Sequence, residues 1–496
     1  MSMGTAGSDP SRVNARPRRG RSVGRVGYVG IALGAWAGLA GSVLMAPAVL
    51  AQSENVLIIV ADDMGVDILK CYGEGSKFPP TPTIDGLRES GMLFRNAWSN
   101  PICSPTRATV QTGRYGFRTG VGGTVGQDSP NGLPLSETIV PELLDLNPTL
   151  GYSHAAIGKW HLTSEDQGGY DAPNLYGYSH YSGSIWQLED YFDWSKTEDG
   201  ETFQTTTYTT TDNANEALEW INDQEENPWF MWLAFNAPHR PFHAPPDELH
   251  SYDLSGSPPD WLLYRAMVEA MDMEMSRLFA SMSPEVLEKT NVIFLGDNGT
   301  PASAILAPFD PVRGKGTLYE GGVNVPLIIS GPRVALPGTE SDALVSTVDL
   351  FATALEMMGV DVEATLPPET ALDAVSLLPV LKEPTIEPRE FVYSELFNYL
   401  SPQDTHGQTI RNVAGYKLIR FTVLETEEFY DLVLDPFEDS NLLLGELDPI
   451  QQANYDELTM AIDSLINDVC EGDVNGDGTV DPLDVGYVLS RFGDCK

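Results

Sequence analysis

A chain of 496 residues is long enough for two or three domains around a large core, and 42% hydrophobic residues mark it as globular rather than disordered or fibrous. Its formal charge at pH 7 is −42. A surface that acidic repels nucleic acid and anionic membranes, which excludes nucleic acid as a partner, and it requires any anion-binding site to be locally basic.

At the N-terminus six arginines (Arg12, Arg16, Arg18, Arg19, Arg21, Arg25) and no acid occupy residues 12–25. They precede the apolar run VGYVGIALGAWAGLAGSVLMAPAVLA, which ends in small residues with Val49 and Ala51 at the minus-three and minus-one positions. This order reads as a secretory signal over residues 1–51 cleaved near Ala51, and it predicts a secreted, periplasmic or cell-surface protein. The run is also long enough to stay as a membrane anchor. With one acid and six arginines in the first 51 residues, the remainder carries −47.

NVLIIVADD (55–63) is a continuous apolar run ending in two carboxylates, the pattern of a buried parallel strand with ligands at its C-terminal end. The next motif is NPICSPTRATVQTGRYGFRTGV (100–121). Pro101 and Pro105 flank Cys103 and predict a turn that opens a helix, a setting that favours developing negative charge; the alternative is a buried structural thiol. GKWHL follows, with Lys159 and His161 on one side of an extended segment. PWFMWLAFNAPH (228–239), NVIFLGDNG (291–299) and VPLIISGP (325–332) are further strand patterns, with helical periodicity between them in LLYRAMVEAMDMEMSRLFASM. NAPHRPFHAP contributes His239 with His243 behind it, and RGKGTLYEGG places Lys315 in a glycine-rich loop. The alternation predicts an α/β fold whose large, mixed, mostly parallel sheet is flanked by helices and carries the site at the strands' carboxyl edge. Asp62 and Asp63 at one strand end, and Asp297 and Asn298 at another, offer oxygens to one hard cation, calcium or magnesium.

From about residue 371 the pattern changes to antiparallel strands (RNVAGYKLIRF, EEFYDLVLDP) and an amphipathic helix presenting Leu458, Ile462, Leu465 and Val469. The expected division is a catalytic domain over 52–370, a smaller C-terminal α+β subdomain over 371–469, and a short calcium-loop module over 470–496. In that module DVNGDGTVDPLD sets Asp473, Asn475, Asp477, Thr479, Asp481 and Asp484 at positions 1, 3, 5, 7, 9 and 12 of a calcium loop, with Gly478 at the turn. Of the four cysteines, Cys470 and Cys495 are close enough to form a disulfide, and Cys71 and Cys103 read as a pair or as free thiols.

In this order NVLIIVADD, CSPTRATVQTGR, GYSHAAIGKWHL, NAPHRPFHAP, VIFLGDNG and GKGTLYEGGVNVP resemble the type I, arylsulfatase-like sulfatases of the alkaline phosphatase superfamily. The resemblance runs from residue 54 to about 445, where EEFYDLVLDPFEDSNLL is similar to the family's C-terminal strand and turn. It implies that a formylglycine-generating enzyme converts Cys103 to formylglycine, reading Pro105 and Arg107, and that the hydrated aldehyde attacks sulfur. It also implies one calcium ion on Asp62, Asp63, Asp297, Asn298 and the residue made from Cys103. Arg107 then steadies the hydrate, Lys159 and Lys315 bind sulfate oxygens, His239 protonates the leaving group and His161 assists sulfate release. Thr163 and Asn324 depart from the family pattern, where glycine and a basic residue are usual. The tail resembles half of a dockerin repeat, which implies a calcium-stapled attachment module with a cell-surface or cohesin-like partner.

The expected function is hydrolysis of a sulfate ester on a carbohydrate. Two alternatives are a phosphonate monoester or phosphodiester hydrolase of the same superfamily and a non-catalytic glycan-binding surface protein.

Overall fold

The computed structural model describes residues 53–470 apart from 131, 369 and 398–402. Ten strands form one sheet: β1 (Asn55–Ala61), β2 (Gly91–Trp98), β3 (Ser153–Lys159), β4 (His180–Ser184), β5 (Trp194–Glu198), β6 (Glu201–Thr205), β7 (Trp229–Ala234), β8 (Thr290–Gly296), β9 (Leu327–Ser330) and β10 (Thr339–Ser346). Their order is β10-β2-β9-β8-β1-β7-β3-β4-β5-β6. The central run β8-β1-β7-β3-β4 is parallel throughout.

The apolar run of β1 belongs at the centre because both of its faces are covered. Val56, Ile58 and Val60 enter one hydrophobic core, and Leu57, Ile59 and Ala61 enter another on the opposite face. Strand β7 divides in the same way, with Phe230 and Trp232 on one side and Met231 and Leu233 on the other. The helix Asp260–Ser281 seals the second core with Tyr264, Met267, Met271 and Leu278, and the helix Asp349–Met357 seals the first with Leu350, Phe351 and Leu355. VPLIISGP does supply a strand, β9, but it runs antiparallel to both β2 and β8. Apolar content predicts burial without fixing direction.

The fold class agrees with the expectation. A second sheet, antiparallel in the order β11 (Phe391–Leu396), β12 (Gly407–Asn412), β13 (Tyr416–Phe421) and β14 (Thr426–Asp431), follows the first. The helix Pro449–Cys470 packs Leu458 and Ile462 against Ile410, Leu418 and Phe429 of that sheet. Leu465 sits on a separate aromatic cluster of Tyr115, Phe117 and Tyr393, and the side chain of Val469 lies outside the described residues. Cys71 and Cys103 are free thiols, so the pairing of those two is not made. The signal segment, the Cys470–Cys495 pairing and the calcium loop fall outside the described residues, among which no helix is long and apolar enough to cross a membrane.

One backbone position shows how tightly the site strand is packed. Gly158 precedes Lys159 with φ +91°, and a Cβ there would lie 2.0 Å from the Ala234 carbonyl oxygen on β7. Gly158→Ala is therefore expected to cost about 2 kcal/mol or more in chemical denaturation, because left-handed strain and a backbone clash add. A loss below about 0.5 kcal/mol contradicts this packing.

Candidate active site

Four adjacent parallel strands deliver the site at their carboxyl ends. Strand β1 is followed by Asp62 and Asp63, β8 by Asp297 and Asn298, β3 ends on Lys159, and the chain leaving β7 carries His239. Cys103 is the first residue of the helix Cys103–Thr112, with Ile102 extended as its N-cap and Pro105 in the first turn, where a missing N–H costs nothing. All ten residues of that helix are buried, which aims Arg107 inward rather than to solvent.

The side chains meet as a layered set of opposite charges. Arg107 donates to Asp297 Oδ2 from Nε at 3.1 Å and from a terminal nitrogen at 2.8 Å, lies 3.7 Å from Asp62 Oδ2, and binds the Lys159 carbonyl at 2.6 Å. Lys159 pairs with Asp62 and Lys315 with Asp63. Both ammonium groups lie 3.7 Å from Cys103 Sγ, so the sulfur sits between two cations. Asn298 Nδ2 donates to Asp63 Oδ1 at 2.9 Å, and His239 Nε2 lies 3.7 Å from Asp63 Oδ2. The Arg240 carbonyl 2.7 Å from His239 Nδ1 can only accept, which puts a proton on Nδ1 and turns Nε2 toward the cluster.

Asp63 holds a left-handed backbone, φ +73°, fixed from both ends: its N–H donates to Asp297 Oδ1 at 2.9 Å and its carbonyl accepts from the Tyr264 hydroxyl at 2.6 Å. The loop bearing His239 is pinned by the Tyr191 hydroxyl, which donates to the carbonyls of Asn236 (2.6 Å) and His239 (2.7 Å). Neither tyrosine carries a sequence signal, since a tyrosine in an apolar helix or loop reads as core. His161 has φ +63° because β3 stops at Lys159, so the alternation expected of Lys159 and His161 is broken. The charges that act on His161 are still those of Lys159, Arg107, Asp62 and His239, which sets it beside the cluster. His243 is elsewhere, packed among Tyr191, Phe192 and Tyr208. Thr163 bonds the carbonyls of Ser164 and Gln167, and Asn324 that of Arg95, so neither departure touches the charged set. Asp473, Asn475, Asp477, Thr479, Asp481 and Asp484 lie outside the described residues.

Electrostatics separates the groups. Burial works to raise the Asp62 carboxyl, but Lys159 and the other cations outweigh it and hold it well below its usual range. Asp297 is raised by burial and by the charge of Asp62 despite Arg107. Burial lowers both histidines, His239 to about 4. Burial also pushes the Cys103 thiol up to about 12 in spite of both lysines, so as a plain cysteine it stays protonated and poorly nucleophilic.

Asp62 Oδ1 and Asn298 Oδ1 are buried without partners, and the ligand atoms of Asp62, Asp63, Cys103 and His239 lie within 4.8 Å of one another. Unfilled oxygens from two strand ends fit a hard, oxygen-seeking cation.

Residues 54–360 match the family model Sulfatase, and residues 312–468 match the model N-sulphoglucosamine sulphohydrolase, C-terminal. The chain belongs to the sulfatase family. The sulfatase is 31% identical to N-acetylgalactosamine-6-sulfatase of Homo sapiens over 379 residues, 69% of this chain and 68% of that protein. It is 27% identical to human arylsulfatase A over 457 residues, covering 81% and 86%. Among solved structures its fold is similar to that of Ps i-CgsB, with a TM-score of 0.73, 23% identity and coverage of 89% and 98%. A complex with D-glucosamine-2-N,6-O-disulfate as substrate gives a TM-score of 0.67 at 21% identity, covering 86% and 100%. The sulfatase is thus a sulfuric ester hydrolase, with an acidic cluster able to hold a metal ion at its candidate site.

Proposed function

We propose that the sulfatase releases inorganic sulfate from a sulfated sugar, with Cys103 matured to formylglycine by a generating enzyme and one calcium ion held by Asp62, Asp63, Asp297 and Asn298. The observation that carries this reading is the place of Cys103, buried at a helix start and set 3.7 Å from each of two lysine ammonium groups, where burial pushes its thiol up to about 12. A cysteine used directly would need a lowered pKa, whereas an aldehyde hydrate at the same position offers a hydroxyl nucleophile that needs no thiolate. The ion, when bound, polarises the sulfate oxygens and the attacking hydroxyl as a Lewis acid.

The chain's own residues do the rest. Lys159 and Lys315 flank the reacting position and neutralise two sulfate oxygens, supplying the local basicity that a protein of charge −42 needs for an anion. Lys315, 20% exposed at its side chain, faces the entrance, while Lys159 is 1% exposed and forms the floor. Arg107 locks Asp297 and Asp62 in place beneath the residue made from Cys103. His239 turns Nε2 toward the leaving group; because Nδ1 already holds its proton on the Arg240 carbonyl, Nε2 must first take up a proton before it delivers one to the leaving alkoxide, and His161 takes part in sulfate release. A sugar substrate is supported by relatives such as N-acetylgalactosamine-6-sulfatase, 31% identical to this chain. The basic, apolar leader and the tail loop support export and attachment outside the cell.

Removing the ion should be visible in stability as well as in turnover. In an Asp473→Ala/Asp477→Ala background, which takes the tail loop out of the measurement, chelation is expected to cut 4-nitrophenyl sulfate hydrolysis at least about hundredfold. Calcium at a hundredfold excess over its Kd should restore activity and add about 2.7 kcal/mol to unfolding free energy. Unchanged activity and Tm after chelation count against the ion.

A further inference from the structure

Beside the charged cluster is a cavity of about 240 Å³, room for one sugar ring, that the reaction as described leaves unused. Its floor includes Ser184, the last residue of β4, paired in register with Lys159 on β3. The two floors are thus neighbouring positions on adjacent strands. Three further ties couple them: the Ile185 carbonyl accepts from the His161 N–H at 2.8 Å, Ser184 Oγ accepts from Asn236 Nδ2 at 2.8 Å, and the Trp186 indole donates to the Thr163 carbonyl at 2.7 Å.

The lining has the chemistry of a saccharide site. Tyr170 and Trp186 meet edge to face, centroids 5.2 Å apart, and Tyr170 is 40% exposed, which leaves aromatic surface for the C–H face of a pyranose. Glu189, Asp190 and Asp193 stand in the same wall, exposed, and can accept from sugar hydroxyls. Asp190 Oδ1 caps its own turn, accepting from the Phe192 and Asp193 N–H groups at 2.6 and 3.2 Å, which fixes the loop's shape. The lining holds three acids and no lysine, arginine or histidine. Like charges facing each other across a contact are strongly disfavoured, so a uronate or a second sulfate is turned away here.

We propose that this cavity binds the sugar next to the sulfated one and accepts it only as a ring without negative charge. The inference rests on the sulfated-glycan reading above and narrows it: the substrate has neutral neighbours rather than alternating uronates.

The test measures sulfate release by the matured full chain from sulfated galactan oligosaccharides, chondroitin sulfate oligosaccharides and 4-nitrophenyl sulfate. The wild type is expected to favour galactan over chondroitin by at least about tenfold in kcat/KM, and Glu189→Lys/Asp193→Lys to shrink that ratio by about tenfold. Tyr170→Ala, at an exposed position that folding tolerates, is expected to lower the galactan-to-aryl ratio about tenfold through lost stacking. Equal or better use of chondroitin by the wild type, or ratios that the variants do not move, overturns the inference. Turnover of the aryl sulfate with neither glycan used instead removes the glycan reading itself, and this inference with it.

Discussion

Cys103→Ala is expected to lower kcat/KM for 4-nitrophenyl sulfate by at least about 10⁴-fold, the scale on which deletion of a covalent nucleophile acts. The residual activity would come from the surrounding cations, which remain in place. Folding should survive, because Cys103 is 3% exposed at the start of a fully buried helix and loses only one sulfur atom. The expected stability cost is about 1 kcal/mol. Steady-state kinetics on a variant with native-like circular dichroism checks both parts. Activity within about tenfold of the wild type would mean that bond-making is centred elsewhere.

Arg107→Met is expected to cost about 3–5 kcal/mol of stability and to lower activity as well, because it strands buried carboxylates. Arg107 and Asp297 are both 0% exposed at their side chains, and the guanidinium makes two bonds to Asp297 Oδ2 while standing 3.7 Å from Asp62. Asp62 keeps Lys159, but Asp297 has no second ion pair among the described residues and would depend on the bound calcium alone. The double variant Arg107→Met/Asp297→Asn is therefore expected to regain part of the loss, as groups that share one network are not additive. Urea denaturation of the wild type, both single variants (Arg107→Met and Asp297→Asn) and the double variant measures it. A single-variant loss below about 1 kcal/mol, or strictly additive losses, would contradict the coupling.

The sheet and much of the site were legible in the sequence for one physical reason. A strand buried on both faces is written as an unbroken apolar run, and a polar group just past its end must lie at the sheet's carboxyl edge. NVLIIVADD and NVIFLGDNG state this directly, and the structure sets Asp62, Asp63, Asp297 and Asn298 around one point. The scarcity of cations in so acidic a chain likewise marked Lys159 and Lys315. Chemistry was legible only through family resemblance, since no spacing rule says that a cysteine is to become an aldehyde.

What escaped the sequence depends on long-range approach. The direction of β9 is decided by its neighbours rather than by VPLIISGP. The left-handed turn at Asp63 is stabilised by Asp297 and Tyr264, 234 and 201 residues away. His161 leaves the expected alternation because β3 ends two residues earlier. Tyr170, Trp186 and Glu189 reach the cavity from a 3-10 turn and a loop, segments too short to carry a readable periodicity.

In the proposed mechanism the thiol of Cys103 is not the group that reacts. This is tested most directly by mass spectrometry of the tryptic peptide Asn96–Arg107 from sulfatase that turns over an aryl sulfate. An aldehyde at Cys103, trapped by a hydrazide, is expected in proportion to the activity of the preparation. An intact thiol in fully active protein would contradict it.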